Sequence, residues 1–173
     1  PYFAFSAGWF IGLVNEKLGI ADWAIDRSVF AYDTLYMPEE VLTGSLAESW
    51  ENPDPLTYVV KIHDGVFWHD KAPVNGRQLT AHDVEYTWDR ILGLGGGEPM
   101  TGIEGQDIGK IEWDSITATD DSTVVFKLAA PSLDALRVIL LGSHSTTYVV
   151  AREAVQQFGD LQDWRNVVGT GPY

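Results

Sequence analysis

A chain of 173 residues, 45% hydrophobic and 12% aromatic, carries enough apolar material for one packed domain or for one domain and part of another, which excludes a disordered chain. Its 11 basic and 25 acidic residues leave a formal net charge of −14, which disfavours nucleic acid and anionic membrane surfaces as partners. The absence of cysteine excludes disulfides and thiolate metal sites; the longest apolar stretches, such as residues 138–142, are too short to span a bilayer, and residues 1–20 lack the basic start and apolar run of a signal peptide.

Residues 1–24 are rich in glycine and aromatics, without clean periodicity. A helix is expected over 26–37, where Val29, Phe30, Asp33, Leu35 and Tyr36 fall on adjoining turns and Pro38 ends the run. Residues 46–51 read as a short strand, followed by the turn-rich Asn52-Pro53-Asp54-Pro55. Alternation predicts a strand over 57–62, and His63-Asp64-Gly65 is a tight turn expected to fold 66–69 back on it as a hairpin. The clearest helix follows. Thr80 suits an N-cap, Asp83 completes a capping box with Asp in place of Glu, and Val84, Trp88, Ile91 and Leu92 form one apolar stripe. Gly93 and Gly95-Gly96-Gly97 end it, and 93–109 is a glycine-rich loop long enough to suggest function or movement. A second hairpin comes next: 111–119 alternates, Asp120-Asp121-Ser122 turns, and 123–128 returns. Pro131-Ser132 opens a helix running to Leu141, 148–150 look extended, and 152–158 form a short helix. Hairpins in place of βαβ crossovers give an α+β class: a mixed, mainly antiparallel sheet with packed helices.

Catalytic and metal-binding patterns are weak throughout. His63 and His69 flank the first hairpin with Asp64 and Asp70 beside them, yet neither they nor His82 and His144 have the helical spacing of a zinc site, and turn and cap roles account for the acids. Asp120/Asp121 and Glu39/Glu40 are neighbouring solvated acids, with no burial to separate their pKa values. Ser143-His144-Ser145 lacks the strand–turn–helix setting of a nucleophile elbow, and the glycines of 93–97 are followed by no phosphate-binding lysine. No catalytic residue, metal site or cofactor is assigned. Among the seven tryptophans, Trp50, Trp68, Trp88 and Trp113 read as core. Trp9 and Trp23, in the irregular amino-terminal segment, suit core packing and the wall of a ligand cavity equally.

Several segments taken together resemble bacterial extracellular solute-binding protein family 5, the oligopeptide, dipeptide and nickel binders of ABC importers. They are Leu46-Ala47-Glu48-Ser49-Trp50-Glu51, the run from Thr57 through Trp68-His69-Asp70, Pro73-Val74, Leu79-Thr80-Ala81-His82-Asp83-Val84-Glu85-Tyr86-Thr87-Trp88, Thr123-Val124-Val125-Phe126-Lys127-Leu128, and Val168-Gly169-Thr170-Gly171-Pro172-Tyr173. The order and spacing hold from Tyr32 to the end; Lys71-Ala72 stands where the family usually has Gly-Thr, and the 74–79 connection is longer. The resemblance implies part of a two-lobed periplasmic-binding-protein type II fold. Residues 1–45 would be the amino-terminal segment of the first, main lobe, 46–168 a small accessory domain, and 169–173 the return to the main lobe, so that the chain reads as an amino-terminal fragment.

By the same resemblance, Pro1 ends the first strand of the main lobe and the loop after it approaches the ligand backbone. This nominates Phe5, Ser6 and Ala7 as ligand contacts, with Trp9 and Trp23 added from the aromatic argument. The implied role is capture of a peptide-like or other small solute outside the cytoplasm, in the periplasm or lipid-anchored at the outer face of the membrane, and its delivery to an ABC transporter permease, with no enzymatic step. An oligosaccharide ligand is the alternative within the family; a secreted hydrolase or a non-binding structural domain are the alternatives outside it. The apolar Phe3, Phe5, Trp9, Phe10, Ile11 and Leu13 point to self-association of the fragment through residues 1–20.

Overall fold

The computed structural model describes residues 11–34, 37–94, 99–100, 106–142, 147–159, 161 and 163–173. Two antiparallel sheets organise them. A small one pairs β1 (Gly19–Ala21) with β2 (Leu42–Gly44). The larger one has the order β3-β4-β6-β5, from β3 (Ala47–Asp54), β4 (Thr57–Ile62), β5 (Trp113–Asp120) and β6 (Thr123–Leu128). The helices are α1 (Ala81–Leu92), α2 (Ala135–Leu141) and α3 (Arg152–Phe158). The α+β class with antiparallel pairing is the one expected.

Alternation decides which face of the large sheet is covered. Tyr58, Val60 and Ile62 on β4 and Val124, Phe126 and Leu128 on β6 are buried, and the register sets Tyr58 opposite Phe126 and Val60 opposite Val124. Helix α1 lies on this face through Val84, Trp88 and Ile91, spaced one helical turn apart and buried. The Trp88 indole meets Phe126 edge-on at 5.1 Å and Trp113 at 5.2 Å between ring centroids, geometries that add to the area buried. Trp113 turns its Nε1 outward to donate to the Ile108 carbonyl at 2.8 Å. Trp68 and Trp88 are both buried, as expected.

The first hairpin is not the one expected. Residues 66–69 do not return along β4, because β3 and β6 already occupy its two sides. Gly65 turns the chain with φ +74, and the segment then pairs locally with 77–79: Trp68 N–H donates to the Arg77 carbonyl, Leu79 N–H to the Val66 carbonyl, and Phe67 bridges Gln78. The partner of β4 in the hairpin is β3, which runs on through Asn52-Pro53-Asp54 and turns only at Pro55-Leu56. Pro53 is accommodated because β3 is an edge strand and its register shifts between Glu51 and Asp54.

The helix expected over 26–37 is also absent among its described residues, with Leu35 and Tyr36 lying outside them; residues 23–29 form turns. The Asp26 carboxylate accepts the Ser28 amide at 2.7 Å while its carbonyl accepts from Val29 and Phe30, so one turn closes. Tyr32 then takes φ +57 and stops any propagation. The α2 helix starts at Ala135, four residues after Pro131, whereas α3 spans the expected residues.

The start of α1 is the best-specified point of the fold. Thr80 and Asp83 form the expected capping box, with the Asp83 carboxylate accepting the Thr80 amide at 3.1 Å. The same carboxylate, buried, takes both Arg77 terminal nitrogens at 2.6 and 2.8 Å and lies 3.4 Å from Trp68 Nε1. Replacing Thr80 by Ala is expected to cost about 1 kcal/mol, and Asp83 by Ala about 3 kcal/mol, because the second change also removes one of the two carboxylates that a half-buried guanidinium binds. Urea melts of the two variants check the order; equal losses would reduce Asp83 to a capping residue.

Candidate functional site

Three groups outside the sheet core carry polar or aromatic chemistry. The first is the joint at the end of the chain. Gly169 and Gly171 lie against the backbone of Leu13 and Val14: a Cβ on Gly169 would fall 1.9 Å from the Val14 carbonyl oxygen, and one on Gly171 would fall 2.7 Å from that of Leu13. Only glycine permits this approach, and it lets Gly171 N–H donate to the Val14 carbonyl at 2.8 Å. From the other side, His69 N–H donates to the Gly169 carbonyl, the Gly169 amide donates to His69 Nδ1 at 3.4 Å, and His69 Nε2 lies 2.6 Å from the Gly171 carbonyl. An Nδ1 that accepts leaves Nε2 to carry the proton and donate. Lys71 Nζ adds a bond to the Val167 carbonyl at 2.9 Å. His69 and Lys71, set in the segment after the first hairpin, therefore fasten the Gly-Thr-Gly-Pro-Tyr run.

The second group surrounds that joint. Asn15 donates to the Val149 carbonyl, whose amide donates to Glu16, so the extended stretch before α3 runs beside 15–16. Lys17 reaches the carbonyl of Leu141, the last residue of α2, at 2.6 Å and lies 4.7 Å over the Tyr148 ring. Burial pulls its amine down to about 8. Across α1, Arg77 also binds Glu153 at 2.6 and 2.8 Å. The hydrogen bonds from Arg77 hold the Glu153 carboxyl below its ordinary range, and both acids hold the guanidinium above its own. No signal in the sequence marks the pairing of Arg77 with Glu153 or the reach of Lys17, because these partners lie 76 and 124 residues away.

The third group is aromatic and sits on the connection between β1 and β2. Trp23 stacks on Tyr32 at 4.7 Å and 28°, Phe30 meets Tyr32 edge-on at 5.0 Å, and the Arg27 guanidinium lies 5.4 Å over the Tyr32 ring. Tyr32 donates its hydroxyl to the Asp22 carbonyl. Trp23 is 62% exposed and lies outside the buried cluster of the described residues. Of the residues nominated from the sequence, Trp23 alone lies among those described; Phe5, Ser6, Ala7 and Trp9 lie outside them. The Ser143-His144-Ser145 segment and most of the glycine-rich loop also lie outside.

A cleft of about 210 Å³ opens elsewhere, between Ile62-His63-Asp64, Gln78-Leu79-Thr80 and Asp121-Ser122. Its Asp64 carboxylate already accepts from Gln78 at 2.6 Å. His82, on the first turn of α1, faces Glu85 at 3.5 Å and Asp121 at 3.7 Å. No group of three or more His, Asp or Glu residues among those described is placed to hold a metal ion, and no helix among them is long and apolar enough to cross a membrane.

This arrangement, a mainly antiparallel α+β unit whose final glycines return to its opening segment, has the fold of part of a lobe of a type II periplasmic binding protein. Residues 41–173 match the family model described as bacterial extracellular solute-binding proteins, family 5, middle, and the chain belongs to that family. It is similar to the periplasmic oligopeptide-binding protein OppA of Salmonella typhimurium, 25% identical over 169 residues that make up 90% of this chain and 29% of that protein. It is also similar to the dipeptide-binding protein of Escherichia coli, 30% identical over 144 residues, 78% of this chain and 26% of the other. Among solved structures, the periplasmic binding protein DppA of Helicobacter pylori in complex with the peptide STSA superposes with a TM-score of 0.65 at 23% identity, covering 93% of this chain and 30% of that one. The chain thus spans less than a third of the length of each. These relatives are binding proteins, not enzymes.

Two outcomes follow from the joint. Gly169→Ala is expected to destabilise by about 3 kcal/mol or more, since the clash is with backbone and cannot relax by a rotamer change; a melting temperature equal to that of the parent would show that the approach of Val14 is not needed. For Lys17 the amine is easier to deprotonate folded, at about 8, than unfolded, at 10.5. Between those values the unfolded state binds the extra proton, so stability rises with pH across that window. Measured against Lys17→Met, the parent should gain stability from pH 8 to pH 10; a constant difference would remove the burial argument.

Proposed function

We propose that this chain is the amino-terminal part of the substrate-binding component of an ABC importer, which captures a peptide-like or other small solute outside the cytoplasm and delivers it to the membrane permease. The observation that carries the reading is the family match over residues 41–173, which contains His69, Lys71 and the Gly169–Gly171 joint they fasten. The names of the oligopeptide and dipeptide binders it resembles support a peptide-like ligand. In this reading residues 1–45 and 169–173 belong to the main lobe and 46–168 to a small accessory domain. The separate β1–β2 sheet and the bonds from Gly171 back to Val14 support that division. The loop of Phe5, Ser6 and Ala7, with Trp9 and Trp23, supplies ligand contacts from the first lobe; an opposing lobe completes them, because a closing binder buries most of its ligand. An oligosaccharide ligand is the second reading, favoured by the exposed stack of Trp23 on Tyr32.

Thermal shift of the intact protein against peptides of two to five residues and against oligosaccharides tests this. A ligand present at about 100 times its Kd should stabilise by about 2.7 kcal/mol. Stabilisation by neither class would overturn solute capture, and turnover of a ligand would favour a hydrolase. Residues 1–173 alone should lose the affinity of the intact protein, since contacts from a second lobe are needed to offset the ligand's lost freedom. The same piece should self-associate through residues 1–20 in sedimentation; a monomer at all concentrations counts against that interface.

A further inference from the structure

The loop between Trp68 and Leu79 serves two distant contacts through one turn. His69 and Lys71 hold the end of the chain, and Arg77 holds Asp83 and Glu153. Between them the chain reverses at Asn75 and Gly76, which take φ +54 and +68, a left-handed pair that asparagine and glycine tolerate best. The reversal is tied across by the Gly76 amide, which donates to the His69 carbonyl at 3.1 Å, and by the Trp68 amide, which donates to the Arg77 carbonyl at 3.0 Å. The Asn75 side-chain amide donates to the Pro73 carbonyl at 3.0 Å. Asparagine before glycine also carries a reaction of its own. The backbone nitrogen of the glycine is one ring closure away from the asparagine side-chain carbonyl carbon, and no side chain on the glycine obstructs it. Around Gly76 there is room as well, since an added Cβ would meet only Asp70, at an ordinary 3.5 Å. The other asparagines, Asn15, Asn52 and Asn166, precede Glu16, Pro53 and Val167. Proline offers no N–H, and the other two set a side chain beside the nitrogen.

We infer that Asn75 is a site of spontaneous deamidation, and that its conversion loosens the docking of α3. The Gly76 nitrogen bonds to Asn75 Cγ and gives up its proton, the Cγ–Nδ2 bond breaks, and ammonia leaves. Water then opens the resulting cyclic imide: at Cγ it gives aspartate, and at the backbone carbonyl it gives isoaspartate, in which the chain runs through the former side chain. No oxidant or reductant is needed. The reacting atoms belong to adjacent residues and water is the only co-reactant, so the step requires neither a free surface nor a partner. It does require the turn to open, because the Gly76 nitrogen has to leave the His69 carbonyl first. Either product bears on Arg77, two residues on. Each adds a carboxylate to a turn where Asp70 already lies beside Gly76. Isoaspartate also puts an extra methylene into the main chain, which takes Gly76 and Arg77 out of register with His69 and Trp68. The Arg77 fork tolerates little displacement, since its nitrogens sit 2.6 to 2.8 Å from the Asp83 and Glu153 oxygens. The inference stands apart from the solute-capture reading and does not depend on it.

The test is ageing of the intact protein in mildly alkaline buffer, as the parent, Asn75→Gln and Arg77→Met. Peptide mapping by mass spectrometry reads the amide-to-acid mass gain at each asparagine, and the melting temperature of each protein is followed against its own unaged sample. Asn75 should convert ahead of Asn15 and Asn166, and faster in urea than in native buffer, where the His69 bond restrains it. The parent should lose melting temperature in step with that conversion. Asn75→Gln, whose longer side chain closes a less favourable ring, should keep its own. In Arg77→Met, which has no fork to displace, the same degree of conversion should lower the melting temperature less than in the parent. Conversion at Asn75 no faster than at Asn15 and Asn166 overturns the site. A rate that urea does not raise overturns the restraint by the turn. Conversion without a loss of melting temperature, or with the same loss in Arg77→Met, overturns the link to α3.

Discussion

Between Val14 and Gly169 there is no room for a side chain, and the path of the chain depends on that contact. Two stretches more than 150 residues apart come within backbone hydrogen-bonding distance only because 169 and 171 lack a Cβ. The approach positions Asn15, Glu16 and Lys17 against the stretch before α3 and against the end of α2. It also brings the Gly169 and Gly171 carbonyls to His69, so the turn after the first hairpin is held by the other end of the chain. Backbone-to-backbone contacts of this kind tolerate substitution of neighbours but not of the glycines themselves.

Arg77 performs the corresponding task with charge. Its planar fork meets two carboxylates at once, one at the first turn of α1 and one at the first turn of α3, and both lie where helix dipoles favour negative charge. The half-buried guanidinium would be costly alone. With Asp83 and Glu153 in place its donors are satisfied, and the arrangement fixes orientation more than it adds net stability. The loop that carries Arg77 is itself pinned at Trp68, whose indole packs under the guanidinium at 5.9 Å. Shape and charge thus select the same docking of α3.

Local rules account for what was legible in the sequence. Asp120-Asp121-Ser122 between two alternating runs can only be a hairpin turn, and Thr80 with Asp83 before an apolar stripe marks a helix start; both lie where they were read. The partner of β4 was not legible, because alternation says which residues face inward but not which neighbour fills each side. Residues 26–37 failed for a related reason: their apolar spacing suits a helix, yet the Asp26 side chain competes for the first amides and the loop closes on itself. Trp23 was legible as either core or ligand contact, and it lies outside the buried cluster of the described residues. Of the remaining ligand contacts nominated from the sequence, the likeness to the family remains the support. The contacts of Arg77 with Glu153 and of Lys17 with Leu141 had no local signature.

These observations also divide the molecule by how freely its sequence can change. The sheet core, the capping box and the glycine joint are each fixed by partners in other elements, so a substitution there propagates. The loop between β1 and β2 is different: its turns are closed by its own Asp22, Asp26 and Arg27, and the Asp22 amide donates to the Val41 carbonyl at the far end of the same connection. Such a loop can exchange its side chains without disturbing the scaffold, which is the condition for a surface that adapts to different small molecules. Trp23 is exposed there while Trp88 and Ile91 of α1 and Phe126 of β6 are buried, so a change of side chain at Trp23 costs the sheet core little.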